Sequence, residues 1–506
     1  MTTLEHLKHY FPTGTTEGEL QLLQTAFVYD DAFIRASAPA HGSPRLLVGK
    51  KGAGKTALLE FLRLKFEASG IPVVLLRPDD FDTSAMGNTN DLATIKRATF
   101  AFLTLAVANK LSAKGTLATG HQKILNEAAR AYDKGNLDRV QKLLQVLMPV
   151  GKSITGIDFQ AMLPAGIPRP SDVASAIRTE LGNVQQLAYL MIDDTDQIGA
   201  PRENTYLPRI WGLLLGVRRL AQEAPNLKCL VSLRTEVWRR LRWDTRGQRD
   251  QVDHFQPLVQ EWNPGDVQIA KIWRRRLDLA SGNAADPVLQ FFSTQEVELP
   301  GTERQHRLWR DFLVKNARER PRDMIQLMHQ LIEEAIRTRA DRIDSSHMKD
   351  VIGKYSAERV DYLADEFAQD CESLKDVIRS LARLPNVIST DAFMKHLQGV
   401  PSAFRVEVRG RALQGDSRED AFVLWALLHE AGVVNALVPD RREEREFRHI
   451  NHSDDAGLVS PARWNEMQGM QWEIHPAFRS FLTAIRENEA AAQGVSAREV
   501  VSRRRR

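Results

Sequence analysis

The eight residues Gly49-Lys50-Lys51-Gly52-Ala53-Gly54-Lys55-Thr56 have the types and spacing that bind phosphate. Glycines let backbone amides approach an anion closely and adopt conformations denied to other residues. A helix beginning near Lys55 presents free N–H groups and a partial positive charge to the same anion. Gly49, Gly52, Ala53, Gly54, Lys55, Thr56 and Ala57 are therefore the candidate nucleotide-binding residues. In such a loop the lysine bridges the β- and γ-phosphates of ATP and the Thr56 hydroxyl binds Mg²⁺.

Three further groups complete a hydrolytic site. Asp193-Asp194-Thr195-Asp196 follows the apolar run Ala188 to Ile192. Hydrolysis of a triphosphate needs one carboxylate near the metal and another to orient or deprotonate water. Asp193 suits the metal and Asp194 the water, while Asp196 orders the loop or supports the metal's water shell. Arg234 ends a further strand, Leu227 to Leu233, which reads Leu-Lys-Cys-Leu-Val-Ser-Leu. Ligands of open α/β sheets lie beyond the carboxyl ends of the strands. Arg234 is thus placed either to stabilise charge on the γ-phosphate or to pair with Glu236. Glu319-Arg320-Pro321-Arg322-Asp323 opens a helix, with proline in its first turn. Arg320 and Arg322 either contact nucleotide from a helical lid or pair locally with Asp323 and Glu319. Arg239 and Arg240 lie in a region suited to an arginine finger donated to a neighbouring copy. The catalytic set is Lys55, Asp194 and Arg234, and the metal set is Thr56 and Asp193.

These residues need a parallel sheet to position them. Arg45 to Val48 is a short buried strand, Thr56 to Phe66 has helical periodicity, and Ile71 to Leu76 is a second strand. That is a βαβ unit. The expected fold is α/β, a parallel-sheet P-loop NTPase core with a helical insertion and lid, plus a C-terminal winged-helix domain. The chain divides into a helical lead-in (1–40), the core (41–265, with the insertion at about 90–150), the lid (266–360), the winged helix (361–484) and a basic tail (485–506). The winged helix is expected from helices over Leu374 to Leu397 and Ala421 to Glu430, then strands at Val433 to Val438 and Trp472 to Ile474.

The order of these motifs resembles the STAND class (signal-transduction ATPases with numerous domains) and its origin-recognition-type AAA+ relatives. More narrowly it is similar to a bacterial P-loop ATPase family. That family has a Lys-Gly-x-Gly-Lys-Thr loop, a Leu-Arg-[Ser/Thr]-[Asp/Glu] strand end, an Arg-Pro-Arg-Asp helix start and a late Ile-His-Pro-Ala element. Ile474-His475-Pro476-Ala477 matches the last of these, and the match runs discontinuously from about residue 15 to 482. The resemblance implies an ATP-driven switch that forms homo-oligomers and serves in anti-phage defence. AAA+ proteins commonly carry Glu where Asp194 stands, so slow turnover is expected. No sensor or effector domain of the usual STAND kind is visible, which implies a separate sensor or effector protein as partner.

Composition constrains what the chain acts on. Of 506 residues, 43 % are hydrophobic and 26 % charged, as in ordinary globular proteins of two to four domains. No apolar stretch approaches the roughly 20 residues of a membrane span. The N-terminal residues lack the pattern of a signal peptide, and two cysteines, Cys229 and Cys371, make no disulfide framework. A cytoplasmic location with no membrane partner is expected. The formal charge of +4 is carried by Arg503 to Arg506. Residues 361 to 484 hold 14 basic against 20 acidic residues. Nucleic-acid affinity needs clustered Lys and Arg, so protein contact is favoured over DNA for the winged helix. A DNA-dependent ATPase of initiator or loader type is the second reading. A small-molecule kinase is disfavoured by the chain length, the paired aspartates and the winged helix.

Overall fold

The computed structural model describes residues 3–14, 16–28, 33, 35, 37–80, 90–112, 120–132, 168–183, 185–198, 205–243, 249–300, 305–439 and 447–492. Much of the expected insertion (113–119 and 133–150), the cluster Arg441, Arg442 and Arg445, and the Arg503 to Arg506 tail lie outside them. The chain forms two compact units, one of Thr15–Gly265 and the other of Met1–Gly14 with Asp266–Arg506. The N-terminal lead-in is accordingly shared out: helix α1 (Thr3–Tyr10) precedes Pro12 and Gly14, and helix α2 (Thr16–Ala26) follows them.

The Thr15–Gly265 unit is built on five strands: β1 (Arg45–Gly49), β2 (Val73–Leu76), β3 (Ala188–Ile192), β4 (Leu227–Arg234) and β5 (Val259–Glu261). They lie in the order β2-β3-β4-β1-β5, and every pairing is parallel. Side chains alternate across a strand, and both faces are covered. Leu47, Tyr189, Met191 and Leu230 meet Leu58, Leu59, Phe61 and Leu62 of helix α3 (Lys55–Ala68) on one face. Leu46, Val48, Leu190, Ile192, Val231 and Leu233 join a larger core on the other face. That double coverage explains why the strands read as near-continuous apolar runs.

The larger core also contains helix α4 (Leu92–Leu111) and helix α5 (His121–Tyr132), the described part of the region read as an insertion. Helix α4 is apolar nearly all round, which is the mark of a buried helix. Asp91 caps it by accepting the Thr94 N–H at 3.0 Å. Beside it run helices α6 (Pro170–Asn183) and α7 (Tyr206–Glu223). Gly212 and Gly216 on α7 permit close approach, since a Cβ on Gly212 would collide with Ile95 and one on Gly216 would lie 3.1 Å from Thr99 Cγ2. Helices α8 (Thr235–Trp243) and α9 (Arg249–Phe255) complete the unit before β5.

The second unit has two cores. The first gathers Leu4, Leu7 and Phe11 beside Trp273 of α10 (Asp266–Ala280), Phe291 of α11 (Pro287–Phe291), the hairpin β6 (Glu296–Glu298) and β7 (His306–Leu308), Trp309 of α12 (Trp309–Asn316) and Leu327 of α13 (Pro321–Arg337). The long helix α14 (Ser345–Glu366) runs from this core, at Tyr355, into the next, at Val360 and Leu363. There the order is α15 (Leu374–Ser380), β8 (Val387–Ser389), α16 (Thr390–Ala403), α17 (Arg418–Glu430), β11 (Val434–Pro439), β12 (Phe447–Ile450) and β13 (Gln471–Ile474). The strands form an antiparallel sheet in the order β12-β11-β13-β8. Helix, strand, two helices and returning strands are the order of a winged helix. A small hairpin of β9 (Glu407–Val408) and β10 (Arg411–Ala412) interrupts it between α16 and α17. Trp425, Trp472 and Phe393 fill the centre, with the two indoles 4.7 Å apart. After β13, His475 Nδ1 accepts the Ala477 N–H at 3.2 Å and so caps the closing helix α19 (Pro476–Ala492), the short α18 (Trp464–Gln468) having preceded it. Among the described residues no helix is long and apolar enough to cross a membrane.

The tight α4–α7 contact gives a direct test. Gly212→Leu is expected to destabilise the protein by about 2 kcal/mol or more through overpacking against Ile95. Denaturant unfolding measures it, and a change within error would show that α4 yields.

Candidate functional site

The parallel register brings the candidate residues together. Gly49 is paired with Arg234 across β1 and β4. Ile192 is paired with Val231 across β3 and β4, so the next residue, Asp193, comes beside Ser232. The Ser232 hydroxyl donates to Asp193 Oδ1 at 2.5 Å, and the Asp194 N–H reaches the same hydroxyl oxygen at 3.1 Å. The Thr195 hydroxyl donates to the Ser232 carbonyl at 2.7 Å. One serine thus fastens the whole acidic turn to β4.

Between β1 and α3, Gly52 and Gly54 take φ of 82° and 92°, values that favour glycine. Gly54 is the N-cap of α3 and supplies no side-chain acceptor. The first-turn amides of Lys55, Thr56 and Ala57 are therefore left for an anion. Gly49 has no room for a Cβ, which would strike the Trp262 carbonyl oxygen. The Lys55 ammonium donates to the carbonyls of Gly49 at 2.8 Å and Lys50 at 3.2 Å, across the mouth of the loop. Burial pulls its pKa below the usual lysine range, opposed by Glu236, Asp196 and Asp193. These residues fit a nucleoside triphosphate with its divalent cation: uncapped amides, one buried ammonium and a carboxylate at the end of β3, one strand removed from β1.

The carboxylates differ in environment. Asp193 is 2 % exposed and is held by Ser232. Asp194 has a left-handed backbone, φ 46°, and its pKa is pushed up to about 6 by burial first and then by Asp193 and Asp196. Asp196 is also raised by burial, against the pull of Arg234 and Lys55. Arg234 Nε lies 2.9 Å from Asp196 Oδ2, and its Nη1 lies 4.0 Å from Glu236 Oε1. Tyr206 donates to the Asp196 carbonyl at 2.9 Å, with the Arg240 guanidinium 5.3 Å from its ring centre.

Lys55, Asp193, Asp194, Asp196 and Arg234 therefore share one site, and Ser232, Glu236 and Trp262 join them. Ser232 has a signal in the sequence, the one hydroxyl in a mostly apolar strand, two residues before Arg234. Trp262 has none, because its indole N–H meets the Ala53 carbonyl, at 3.0 Å, from 209 residues away.

Arg320 and Arg322 lie in the other unit and have partners there. Arg320 forms a two-pronged pair with Glu366, at 2.7 and 3.1 Å, and Arg322 Nε donates to the Gly14 carbonyl at 3.2 Å. Asp323 sits between Arg318 at 2.8 Å and Arg359 at 2.5 Å. Burial alone would raise Asp323, but Arg318, Arg359 and Arg320 outweigh it and hold the carboxyl below its usual range.

Comparison with known proteins adds one partial match. Residues 289–364 match the FunZ-associated C-terminal helical domain. No curated protein matches the chain. Solved structures with whole-chain alignments include the Aeropyrum pernix ORC2 protein in ADPNP-ADP complexes, at 11 % identity and a TM-score of 0.38, covering 94 % of this chain and 95 % of that one. Cdc6p from Pyrobaculum aerophilum aligns at 13 % identity and 0.31, covering 94 % of each chain. Drosophila ORC bound to DNA aligns at 9 % identity and 0.32, covering 84 % of this chain and 92 % of that one. The fold described above stands on its own strand order and register.

The raised Asp194 pKa has a sign that can be checked. The folded state holds this proton more tightly than the unfolded chain, so ionising Asp194 costs stability as pH rises through about 6. Asp194→Asn is expected to raise the melting temperature of the nucleotide-free protein at pH 7.5. The gain should shrink as pH falls through about 6 and vanish near 4. A gain independent of pH would contradict the assignment.

Proposed function

We propose that this chain binds and hydrolyses ATP with Mg²⁺ and uses the nucleotide to switch its assembly with further copies and with a partner protein. The observation that carries the reading is the convergence of Lys55, Asp193, Asp194 and Arg234 beyond the carboxyl ends of β1, β3 and β4. The amides of Gly54 to Ala57 bind the phosphates, and Lys55 leaves the Gly49 and Lys50 carbonyls for the γ-phosphate. Thr56 and Asp193 hold Mg²⁺, which neutralises phosphate charge. Asp194, raised by burial and by its neighbours, takes the proton of the attacking water. Arg234 is held by Asp196 until a phosphate oxygen competes for it. Arg320 and Arg322 report the nucleotide only by giving up the contacts with Glu366 and Gly14. A shorter carboxylate at Asp194 than the usual glutamate fits slow turnover, as a switch requires. The motif order favours an origin-recognition-type AAA+ or STAND-like protein acting in anti-phage defence.

The C-terminal module supports a protein partner. In a winged helix of this order α17 is the helix that enters a DNA groove. From Asp420 to Glu430 none of its residues is exposed. The β9–β10 hairpin contributes: Val406, Val408 and Leu413 are buried, and Arg411 pairs with Glu419 and Asp420 at the start of α17.

Two measurements test the reading. Lys55→Ala should abolish binding of ADP with Mg²⁺ in calorimetry, whereas Asp194→Asn should keep binding and lose at least about tenfold in phosphate release, in line with loss of a general base. Unchanged release by Asp194→Asn would leave a nucleotide-binding scaffold. Light scattering with a slowly hydrolysed ATP analogue should show an increase in mass, and an unchanged mass would remove the assembly part of the proposal.

A further inference from the structure

Trp262 follows the edge strand β5 and meets the end of β1 and the loop after it at three points. Its backbone N–H donates to the Val48 carbonyl at 2.7 Å, carrying the β5–β1 pairing one residue past Glu261. Its carbonyl oxygen occupies the space where a side chain at Gly49 would be, which makes residue 49 an obligate glycine. Its indole Nε1 donates to the Ala53 carbonyl at 3.0 Å and lies 3.9 Å from where a Cβ on Gly54 would sit. The ring packs, half-buried, against the cluster that contains Leu58 and Phe61 of α3. The donor is thereby held in place by the sheet and by the helix that the loop feeds.

The consequence follows from peptide geometry. The Ala53 carbonyl and the Gly54 N–H belong to one planar trans peptide and point in opposite directions. Anchoring the carbonyl on the indole turns the Gly54 N–H away from Trp262. Gly54, at φ 92°, has little intrinsic preference for one orientation, so an external anchor decides it.

We propose that Trp262 is a positioning residue for nucleotide binding, holding the Ala53–Gly54 peptide so that the Gly54 N–H is presented to a phosphate oxygen. The inference rests on the nucleotide-binding reading above. It adds a residue outside the loop motif and 209 positions from the group it orients. Trp262 touches no substrate atom and acts only through the Ala53 carbonyl.

The test uses the full chain with Trp262→Phe, which keeps an aromatic ring on the α3 cluster and removes the donor, and Trp262→Ala, which removes both. Calorimetric titration with ADP and Mg²⁺ should show Trp262→Phe binding about 2- to 10-fold more weakly than the wild type, the worth of one hydrogen bond. The melting temperature of its nucleotide-free form should stay within about 2 °C, and kcat at saturating ATP within about twofold, so that the loss falls on KM. Trp262→Ala should weaken binding further and also lower the melting temperature. Wild-type affinity in Trp262→Phe overturns the proposal, as does a weakening accompanied by a fall in the nucleotide-free melting temperature of about 5 °C or more, which marks a packing role. If the wild type binds no ADP, the nucleotide reading itself fails; binding by the wild type with no change in Trp262→Phe sinks the role of Trp262 alone.

Discussion

The parallel pairing of β3, β4 and β1 is the constraint on which the site depends. Each residue at these strand ends has its neighbour chosen by register, not by proximity in sequence. Gly49 lies beside Arg234, and Asp193 comes beside Ser232. A slip of one residue would turn every side chain of the slipped strand to the opposite face. The sheet resists such a slip because both faces are packed, one by α3 and the other by α4 and α7. The hydrophobic cores therefore set the chemistry as well as the stability.

Within that frame the site is a balance of buried charge. Lys55, Asp194 and Asp196 are each shifted by burial and by the charges around them, which include Asp193 and Arg234. Burial disfavours every charged form here, and mutual attraction offsets it unevenly. Asp196 has Arg234 at 2.9 Å, whereas Asp194 is pushed up to about 6 by burial first and then by two like charges. A triphosphate and a divalent cation bring large charges of both signs into such a balance. The present partners of Lys55 and Arg234 are backbone carbonyls and a carboxylate.

The second unit shows a different use of buried charge. Asp323 is flanked by Arg318 and Arg359, and Arg320 is clasped by Glu366. Arg318 and Glu319 precede the helix with φ of 50° and 58°, strained values for non-glycine residues. Arg359 and Glu366 come from α14, the helix that runs on into the C-terminal module, where the Ser356 hydroxyl donates to the Ala477 carbonyl at 2.6 Å. The Arg-Pro-Arg-Asp segment is thus tied, through α14, to the C-terminal part of its own unit. Breaking one partner of a buried pair is costly because it strands the other.

Much of this was legible in the residues. The Gly-rich loop between β1 and α3 was legible because glycines, a lysine and a helix start stand in immediate succession, which is a local pattern. The strands Arg45–Gly49, Ala188–Ile192 and Leu227–Arg234 were legible as apolar runs because both faces of a parallel sheet are dry. The helix Pro321–Arg337 was legible from its proline start and apolar stripe. The short strands Val259–Glu261, Val387–Ser389 and Phe447–Ile450 were not, since three or four residues carry no periodicity of their own. Nor was the separation of α1 from α2, which rests on Leu4, Leu7 and Phe11 finding their core beside Trp273 and Trp309. The residues suited to phosphate binding could be picked out from the chain alone, because that requirement lies in consecutive positions. Only the tertiary structure decided that Ser232 holds Asp193, that Asp196 holds Arg234 and that Trp262 holds the phosphate loop, because those contacts are made by strand register between residues far apart in the chain.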